Sequence, residues 1–305
     1  MRTERRSTTC ISLISLSSLL GLLFVACPAY AGVIVSSQEA IKLLSDPKAK
    51  AVDVRSPEEY HAGHIPGAHS LHVDRLWDIE RGIPEVLAPV ERLERLIGSL
   101  GITPTDTLLL YGEVIGVRTA QLYWAFDFLG HPTLHILHGG ISAWRRGGHP
   151  LTTDVPPRSD AGVTRYKARP DWSKVADAAY VLANLKNPQV ILLDCRSYHE
   201  WAGENASQDV NRAGRIPGAR YVDWESTLKV MCALDLRKCL REMAELYQAI
   251  GVSKDQEIIT YARTGRRAAY TYLVLKLLGY PRVRVYDQSM VEWGNRPELP
   301  MERSR

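Results

Sequence analysis

The sequence lacks the charge pattern that nucleic-acid-binding proteins show. Its 38 Lys and Arg residues nearly balance its 34 Asp and Glu residues, so the formal net charge is only +4. No run of Lys or Arg resembles the basic stripe that follows a nucleic-acid backbone, and we therefore expect no nucleic-acid partner. The hydrophobic content of 45% is typical of a globular protein with a substantial core. A length of 305 residues is enough for two domains of ordinary size.

The N-terminal region lacks charged residues from Ser7 to Gln38, after three arginines among the first six residues. Its apolar part, residues 11–26, is short for a membrane span and is interrupted by serines. Residues 29–31, Ala-Tyr-Ala, then give the small-x-small pattern of a cleavage site. A basic start, an apolar middle and such an end predict a signal peptide at residues 1–31 and a periplasmic or otherwise exported protein.

A lipidated N-terminus is the alternative export route. Residues 24–27, Phe-Val-Ala-Cys, loosely resemble a bacterial lipobox, in which Cys27 would carry the lipid. Domain-like sequence starts by Val33, however, and this would leave almost no tether between lipid and domain. The short spacing favours cleavage after Ala31 over lipidation.

Cysteine is scarce, which restricts the available thiol chemistry. Of five cysteines, Cys10 and Cys27 lie in the predicted signal peptide, which leaves Cys195, Cys232 and Cys239. In an oxidising compartment Cys232 and Cys239 could pair, provided that no continuous helix separates them, since seven helical residues span about 10 Å. Two buried thiols are an alternative that is at least as well favoured.

The chain contains the same pattern twice. Residues 52–73 and 193–224 both run from Asp-x-Arg-Ser to Ile-Pro-Gly-Ala, and residues 108–144 parallel residues 258–293 up to a shared Trp. The second copy carries an insertion, Gly-Glu-Asn-Ala-Ser-Gln-Asp-Val-Asn, which predicts a surface loop. A period of about 150 residues indicates two whole domains, because the units of a solenoid are several-fold shorter.

The repeat predicts two α/β domains, at residues 33–152 and 173–303, joined by a linker at residues 153–172 that contains Pro and Gly. Each copy alternates short apolar runs with amphipathic helices, which is typical of a parallel sheet with helices on both faces. In the second copy, the predicted strands are residues 190–194, 257–261 and 282–286, and the predicted helices are residues 236–250 and 267–278.

A short basic loop lies between a strand and a helix of the second copy. This loop, residues 262–267, has the sequence Ala-Arg-Thr-Gly-Arg-Arg. Open parallel sheets bind ligands beyond the carboxyl ends of their strands. We expect Gly265 to supply a positive φ and the backbone N–H groups to converge at the positive end of the helix. Together with the charges of Arg263, Arg266 and Arg267, this arrangement predicts a site for a small anion.

These motifs occur in the same order in both copies, and in this arrangement the sequence resembles the tandem-domain rhodanese family of thiosulfate and mercaptopyruvate sulfurtransferases. The resemblance covers residues 33 to about 300, and it implies two rhodanese-like domains of which the first is non-catalytic. The residues that carry it are Asp53-x-Arg55, residues 63–68, residues 139–140 with Trp144, Asp194-x-Arg196, residues 215–219, the basic loop, and residues 286–287 with residues 292–294.

The resemblance also implies a chemistry that needs no cofactor. In that family the loop begins with a cysteine, which takes a sulfane sulfur as a persulfide and passes it to cyanide or a thiol. Converging N–H groups lower the pKa of such a thiol. The positive charge of the loop is closer to the thiosulfate type than to the mercaptopyruvate type. The implied substrate-binding residues are Arg263, Thr264, Gly265, Arg266 and Arg267, with Asp194, Arg196 and Asp287 in supporting positions.

The residue at the nucleophile position is Ala262, whose methyl group has no lone pair and cannot form a persulfide. The matching loop of the first copy, residues 112–117, has no cysteine either. Cys195 also follows a strand end, but the aligned Val54 indicates a buried side chain, and buried thiols are usually inert. We therefore expect no sulfur transfer by the chain as written.

Other motifs have structural interpretations. Asp194 and Arg196 are interpreted as an ion pair, and the two repeated tryptophans, Trp144 and Trp293, as core residues. Asp287 either lies near the loop or caps a turn. Four histidines, at positions 61, 64, 69 and 72, are a candidate metal cluster, but they overlap a turn typical of the family, and no metal site is predicted.

Two interpretations of function stay open. In the first, the protein is a sulfurtransferase whose cysteine was replaced by Ala262 to trap the resting state. In the second, Ala262 is natural, and the protein binds a small sulfur oxyanion such as thiosulfate, a sulfur carrier or a protein partner without turnover. A substitution and a natural loss leave the same residue in the sequence, so both interpretations are carried forward.

Overall fold

The computed structural model describes residues 32–80, 82–156, 166–231 and 235–304. The expected signal peptide with Cys27, part of the expected linker, and Cys232 with its suggested bridge to Cys239 lie outside these residues. Within the described ranges, no helix is both long enough and apolar enough to cross a membrane.

The first half of the chain forms a parallel sheet and a separate hairpin. Its elements are β1 (Ile34–Val35), α1 (Ser37–Leu44), β2 (Ala49–Asp53), α2 (Pro57–His61), β3 (His69–Ser70), β4 (Trp77–Glu80), β5 (Ile83–Leu87), α3 (Val90–Gly98), β6 (Thr107–Tyr111), α4 (Val117–Phe128), β7 (Leu134–Leu137) and α5 (Gly140–Arg146). Five strands form the sheet in the order β1-β7-β6-β2-β3, with every pair parallel. Strands β4 and β5 form an antiparallel hairpin.

The second half repeats this architecture. Its elements are β8 (Val175–Ala176), α6 (Ala178–Asn184), β9 (Val190–Asp194), α7 (Tyr198–Ala202), β10 (Arg220–Tyr221), α8 (Trp224–Met231), α9 (Leu236–Ala249), β11 (Glu257–Tyr261), α10 (Gly265–Leu277), β12 (Val283–Tyr286) and α11 (Ser289–Trp293). The order β8-β12-β11-β9-β10 matches that of the first sheet strand for strand. The predicted fold of two α/β domains is confirmed, and the main difference is the β4–β5 hairpin, which occupies the place of α8.

Both faces of each sheet are buried. In β6, Leu108 belongs to a core cluster on one face, and the next residue, Leu109, belongs to a cluster on the other face. In β11, Ile258 and Ile259 divide between two clusters in the same way. Successive side chains of a strand point to opposite faces, so the continuous apolar runs of the sequence correspond to sheets covered on both sides.

The two domains share a core. Helices α4 and α10 pack against each other, and one hydrophobic cluster contains residues of both. The hydroxyl of Tyr272 in α10 donates to Asp127 Oδ2 in α4 at 2.5 Å. This helix pair fixes the relative position of the two sheets.

The β4–β5 hairpin reaches from the first domain to the second. Ile83 packs against the core cluster of the second domain, and the N–H of Leu87 donates to Asp287 Oδ2 at 2.7 Å. Asp287 directly follows β12, so these contacts place the hairpin at the carboxyl edge of the second sheet.

The element bounds agree closely with the sequence-based expectations. Strands β9 and β11 have the predicted ends, β12 begins one residue later, and α9 ends one residue earlier. Helix α10 begins two residues before the expected Arg267, because Thr264 is extended (φ −127°) and serves as the N-cap. The first turn of α10 therefore contains both Arg266 and Arg267.

Candidate functional site

The candidate site is the loop between β11 and α10, at the carboxyl edge of the second sheet. Ala262 is fully buried, its N–H donates to Ser289 Oγ at 3.1 Å, and its carbonyl accepts from the N–H of Met290 at 3.1 Å. The carbonyl of Arg263 accepts from the N–H of Val291 at 3.0 Å. Helix α11 thus holds the first two residues of the loop in place.

Ser289 was not identified from the sequence, although it fixes the backbone of the loop. It is fully buried, and its φ of +51° lies in the left-handed region, which is unfavourable for residues other than glycine. Its Oγ donates to the carbonyl of Tyr286 at 2.6 Å while it accepts from Ala262. The corresponding residue of the first domain is Gly140, the first residue of α5, which has a φ of +57°. A glycine at this position of the first copy was the sequence signal for a left-handed backbone at Ser289.

Asp194 and Arg196 form a buried ion pair beneath the loop. Arg196 donates from Nε to Asp194 Oδ1 at 2.9 Å and from NH2 to Oδ2 at 2.6 Å, and its NH2 also donates to the carbonyl of Gly214. The hydroxyl of Tyr261, the last residue of β11, donates to Asp194 Oδ2 at 2.9 Å. The pair therefore positions the strand end from which the loop starts, and it does not line the loop itself.

The first domain contains the same arrangement. Arg55 NH2 donates to Asp53 Oδ2 at 2.7 Å and to the carbonyl of Gly63 at 2.8 Å. Both arginines are almost completely buried, with 2% exposure for Arg55 and 1% for Arg196. A pair that recurs in a domain without a basic loop is best explained by the fold.

A carboxylate of the first domain binds the two central arginines of the loop. Glu85 Oε2 accepts from Arg263 NH2 at 2.8 Å and from the Thr264 hydroxyl at 2.9 Å, and Glu85 Oε1 accepts from Arg266 NH1 at 2.7 Å. Burial tends to raise the pKa of Glu85, but the hydrogen bonds from Arg266 and Thr264 hold it below its ordinary value of 4.5. The carboxylate is therefore charged at neutral pH.

Other nitrogens of the loop arginines also have acidic partners. Arg263 NH1 contacts Asp209 Oδ2, and Arg266 NH2 donates to Asp74 Oδ1 at 2.8 Å. Arg267 NH1 lies 3.4 Å from Glu200 Oε2. Asp209 belongs to the inserted segment, which thus contributes to the site in addition to forming surface. In the described part of the chain, four carboxylates contact the three guanidinium groups.

Gly265 and Asp287 lie against each other behind the loop. Gly265 is the first residue of α10 and has no positive φ, so the expectation of a left-handed glycine at this position was wrong. The glycine is required for space instead, because a Cβ atom there would meet Asp287, at 3.1 Å from its Cα and closer still to Oδ1.

Asp287 contacts the hairpin as well as the loop. Its Oδ2 accepts from the N–H of Leu87, whereas Oδ1 is buried and has no hydrogen-bond partner among the described residues. Burial raises the pKa of Asp287 to about 7, and the nearby Glu80 adds to this effect. Asp287 is therefore a buried carboxyl group at the junction of the two domains.

Neither of the described cysteines replaces the missing nucleophile. Cys195 and Cys239 are both buried. Burial raises the pKa of Cys195 to about 12, so its thiol is protonated at neutral pH. Its Sγ contacts the carbonyl of Leu193 at 3.6 Å, within the sheet. In the described ranges, no group of three or more His, Cys, Asp or Glu side chains is placed to hold a metal ion.

The matching loop of the first domain has the opposite charge. Glu113 occupies the place that Arg263 has in the second domain, and its Oε1 accepts from the Ser142 hydroxyl at 2.5 Å and lies 3.3 Å from Arg145 NH1. The Gly140 position is again crowded, since a Cβ there would meet the carbonyl carbon of Glu113 at 2.7 Å. The backbone plan is shared, but the first loop presents a carboxylate instead of guanidinium groups.

A cleft of about 570 Å³ opens between the hairpin and the second domain. Its walls include Val86, Trp124, Phe128 and Trp172, and Asp287 lies at its border. The arginines of the loop do not line this cleft, so it borders the junction at Asp287 and not the anion site.

The sequence matches known proteins over most of its length. The profile of the Rhodanese-like domain matches residues 36–146 and residues 177–296. The chain is 34% identical over 259 residues to a thiosulfate sulfurtransferase of Azotobacter vinelandii. This alignment covers 85% of the chain and 93% of the relative. The chain is 31% identical over 291 residues to the sulfur carrier protein TtuD of Thermus thermophilus, with 90% and 97% covered.

The fold is also similar to solved structures. The anaerobic ergothioneine biosynthesis enzyme from Chlorobium limicola, in complex with trimethyl histidine, superposes with a TM-score of 0.75 at 23% identity. The match covers 91% of this chain and 71% of that enzyme. At this identity the comparison speaks for the fold alone, and it agrees with the two matches to the domain profile. The chain therefore belongs to the rhodanese-like family, of which it contains two domains in tandem.

Proposed function

We propose that this protein is of the thiosulfate sulfurtransferase type but that, as written, it binds a small sulfur oxyanion at residues 262–267 without transferring its sulfur. Relatives named thiosulfate sulfurtransferase or sulfur carrier protein support the sulfur-related ligand. The basic loop at the start of α10 supports an anion as ligand, because helix N-termini and guanidinium groups both favour negative charge.

The proposed absence of turnover rests on one observation, the position of Ala262. Its methyl group lies at the end of β11 with its backbone held by Ser289 and Met290, where the family's nucleophile would stand. Sulfur transfer through a persulfide needs a thiolate at that point. Cys195 does not substitute for it, because its thiol is buried and protonated.

A thiol at position 262 would restore a complete reaction. In the variant Ala262→Cys, the thiolate attacks the sulfane sulfur of thiosulfate, a new S–S bond forms, and the original S–S bond breaks as sulfite leaves with the electron pair. Cyanide then attacks the outer sulfur of the persulfide, thiocyanate leaves, and the thiolate is regenerated. The acceptor in this assay is cyanide, and a small thiol would take the same sulfur.

The test compares thiocyanate formation by the protein as written, by Ala262→Cys and by Ala262→Ser. We expect no detectable turnover for the first protein and the serine variant, whose hydroxyl matches the thiol in size but forms no persulfide. The cysteine variant should turn over and, with thiosulfate alone, gain one sulfur atom by mass spectrometry. Turnover by the protein as written would refute the proposal, and an inactive cysteine variant would show that the loop geometry is not that of a sulfurtransferase.

A thiosulfate-binding measurement shows whether the anion site is intact, whether the alanine at position 262 is engineered or natural. Both an engineered and a natural alanine leave the arginines in place, so we expect calorimetry to detect thiosulfate binding to the protein as written. A protein that binds no oxyanion would point to the alternative ligands, a sulfur carrier or a protein partner.

We also propose that the protein is exported after cleavage at Ala31, on the basis of the basic, apolar and small-x-small pattern of residues 1–31. The mature chain would then begin at Gly32. N-terminal sequencing of the protein from the periplasmic fraction tests this, and a mature chain that begins at a lipidated Cys27 would contradict it.

A further inference from the structure

We propose that Glu85, in the hairpin of the first domain, determines the affinity of the loop for oxyanions by occupying the anion position itself. The inference rests on the proposed function, since it concerns the same loop and the same class of ligand. It assigns a role in anion affinity to a domain that contributes no nucleophile.

The contacts of Glu85 are those that an oxyanion would make. Its two carboxylate oxygens accept hydrogen bonds from Arg263 NH2, Arg266 NH1 and the Thr264 hydroxyl, at 2.7–2.9 Å. The sulfonate end of thiosulfate presents oxygens of the same kind, and guanidinium groups bind carboxylates and sulfonate-like oxyanions through the same donors. Ligand and Glu85 therefore compete for one set of donors.

The other acidic partners leave these donors free. Asp209 contacts NH1 of Arg263, and Asp74 contacts NH2 of Arg266, so each binds a different nitrogen from the one that Glu85 binds. Among the described residues, Glu85 alone bridges both arginines. Removal of this one carboxylate would expose converging donors without leaving either arginine unpaired.

The local charge balance gives the competition its direction. With Glu85, four carboxylates face the three guanidinium groups of the loop, and an additional anion would increase the excess of negative charge. Without Glu85, the numbers are equal and the positive end of α10 remains. An oxyanion should therefore bind more tightly when position 85 is uncharged.

The position of Glu85 allows its side chain to leave. The side chain of Glu85 is a quarter exposed, and Glu85 and Arg266 both line a shallow surface depression of about 390 Å³. Its backbone has a φ of +60°, which is unfavourable for a non-glycine residue, so the contact with the arginines is made from a strained position. A displaced carboxylate would enter solvent directly.

The hairpin does not depend on Glu85 alone for its position. Ile83 packs against the core of the second domain, and Leu87 is hydrogen-bonded to Asp287. A change at position 85 therefore leaves two contacts that hold the hairpin over the loop. This makes variants of Glu85 suitable for a binding experiment.

The experiment measures thiosulfate and sulfate binding by calorimetry at fixed, low ionic strength. It uses the protein as written, Glu85→Gln, Glu85→Ala and the control Glu91→Gln, which removes the same charge from an exposed position of α3. We expect both Glu85 variants to bind the two anions about tenfold more tightly, since hydrogen bonds to charged groups contribute free energies of that size. The control should bind like the protein as written.

Each outcome has a distinct meaning. Equal or weaker binding by both Glu85 variants would overturn the inference and show that Glu85 holds the arginines in place for the ligand. No binding by any of the four proteins would overturn the proposed oxyanion site, and the role of Glu85 with it. In the Ala262→Cys background, which reports on turnover separately, Glu85→Gln should lower KM for thiosulfate more than it changes kcat.

Discussion

Gly265 and Asp287 lie so close together that Asp287 leaves no space for a side chain at position 265. A Cβ atom on Gly265 would lie 3.1 Å from both the Cα and the carbonyl oxygen of Asp287, and nearer still to Oδ1. Gly265 begins the helix whose N-terminus faces the loop, and Asp287 follows the neighbouring strand and contacts the hairpin. The loop, the strand and the hairpin therefore meet at one point without space for a methyl group.

The variant Gly265→Ala should consequently destabilise the protein. The added methyl group must displace backbone atoms of Asp287 or the start of α10, and overpacking of this kind costs about 1–3 kcal/mol. Urea denaturation measures the free energy of unfolding. The control is Gly116→Ala, because Gly116 has an extended φ of −150° and no atom of the described residues lies within 4 Å of its Cβ position.

An unchanged stability of Gly265→Ala, matching the control, would show that this junction yields without strain. In the Ala262→Cys background the same substitution should also lower turnover, since it moves the loop that carries the new thiol. Full stability of Gly265→Ala together with unchanged turnover of the Ala262→Cys, Gly265→Ala double variant would contradict the steric role given to the glycine.

The raised pKa of Asp287 predicts a pH dependence of stability. Burial raises this pKa from the ordinary value of 3.8 to about 7, so the folded state binds a proton that the unfolded state releases between about pH 4 and pH 7. The resulting stabilisation is present in full below pH 4 and is lost as the pH rises through 7. Between pH 5 and pH 8, the contribution of this group to the free energy of unfolding should fall by about 2.6 kcal/mol.

The isosteric variant Asp287→Asn isolates that contribution. An amide does not titrate, so the variant should lose less stability than the protein as written between pH 5 and pH 8. Urea midpoints at several pH values measure both proteins. The comparison is restricted to values above pH 5 because the folded state lowers the pKa values of Glu85 and Glu200, and the stability that these carboxylates contribute is lost as they are protonated at more acidic pH. Parallel pH profiles would refute the assignment.

The sequence predicted the sheets better than it predicted the site. Strand β11 was found at its true bounds, since an apolar run between polar residues indicates a buried parallel strand. Asp194 and Arg196 were interpreted as an ion pair, and the structure shows one between them. Local pattern and repetition were sufficient for these features.

The partners of the loop arginines could not be found in the same way. Glu85 and Asp74 lie in the first domain, and their proximity to Arg263 and Arg266 depends on how the hairpin crosses to the second domain. No local spacing encodes that contact. Asp209 was overlooked because an insertion without a counterpart in the first copy gives no pattern to compare, and the basic loop therefore looked more positive than it is.

Cys195 supplies the sharpest check on whether any native thiol can act in place of the missing one. Its side chain is fully buried and burial raises its pKa to about 12, so thiolate is scarce at pH 8 and access is blocked. We expect iodoacetamide to leave Cys195 unmodified in the folded protein and to alkylate it in denaturant, as measured by peptide mass spectrometry.

The double variant Ala262→Cys, Cys195→Ala should retain thiocyanate formation, because the transferred sulfur is bound to the new thiol. Rapid alkylation of Cys195 in the folded protein, or loss of turnover in a folded double variant, would place this residue in the chemistry and require a different path for the sulfur.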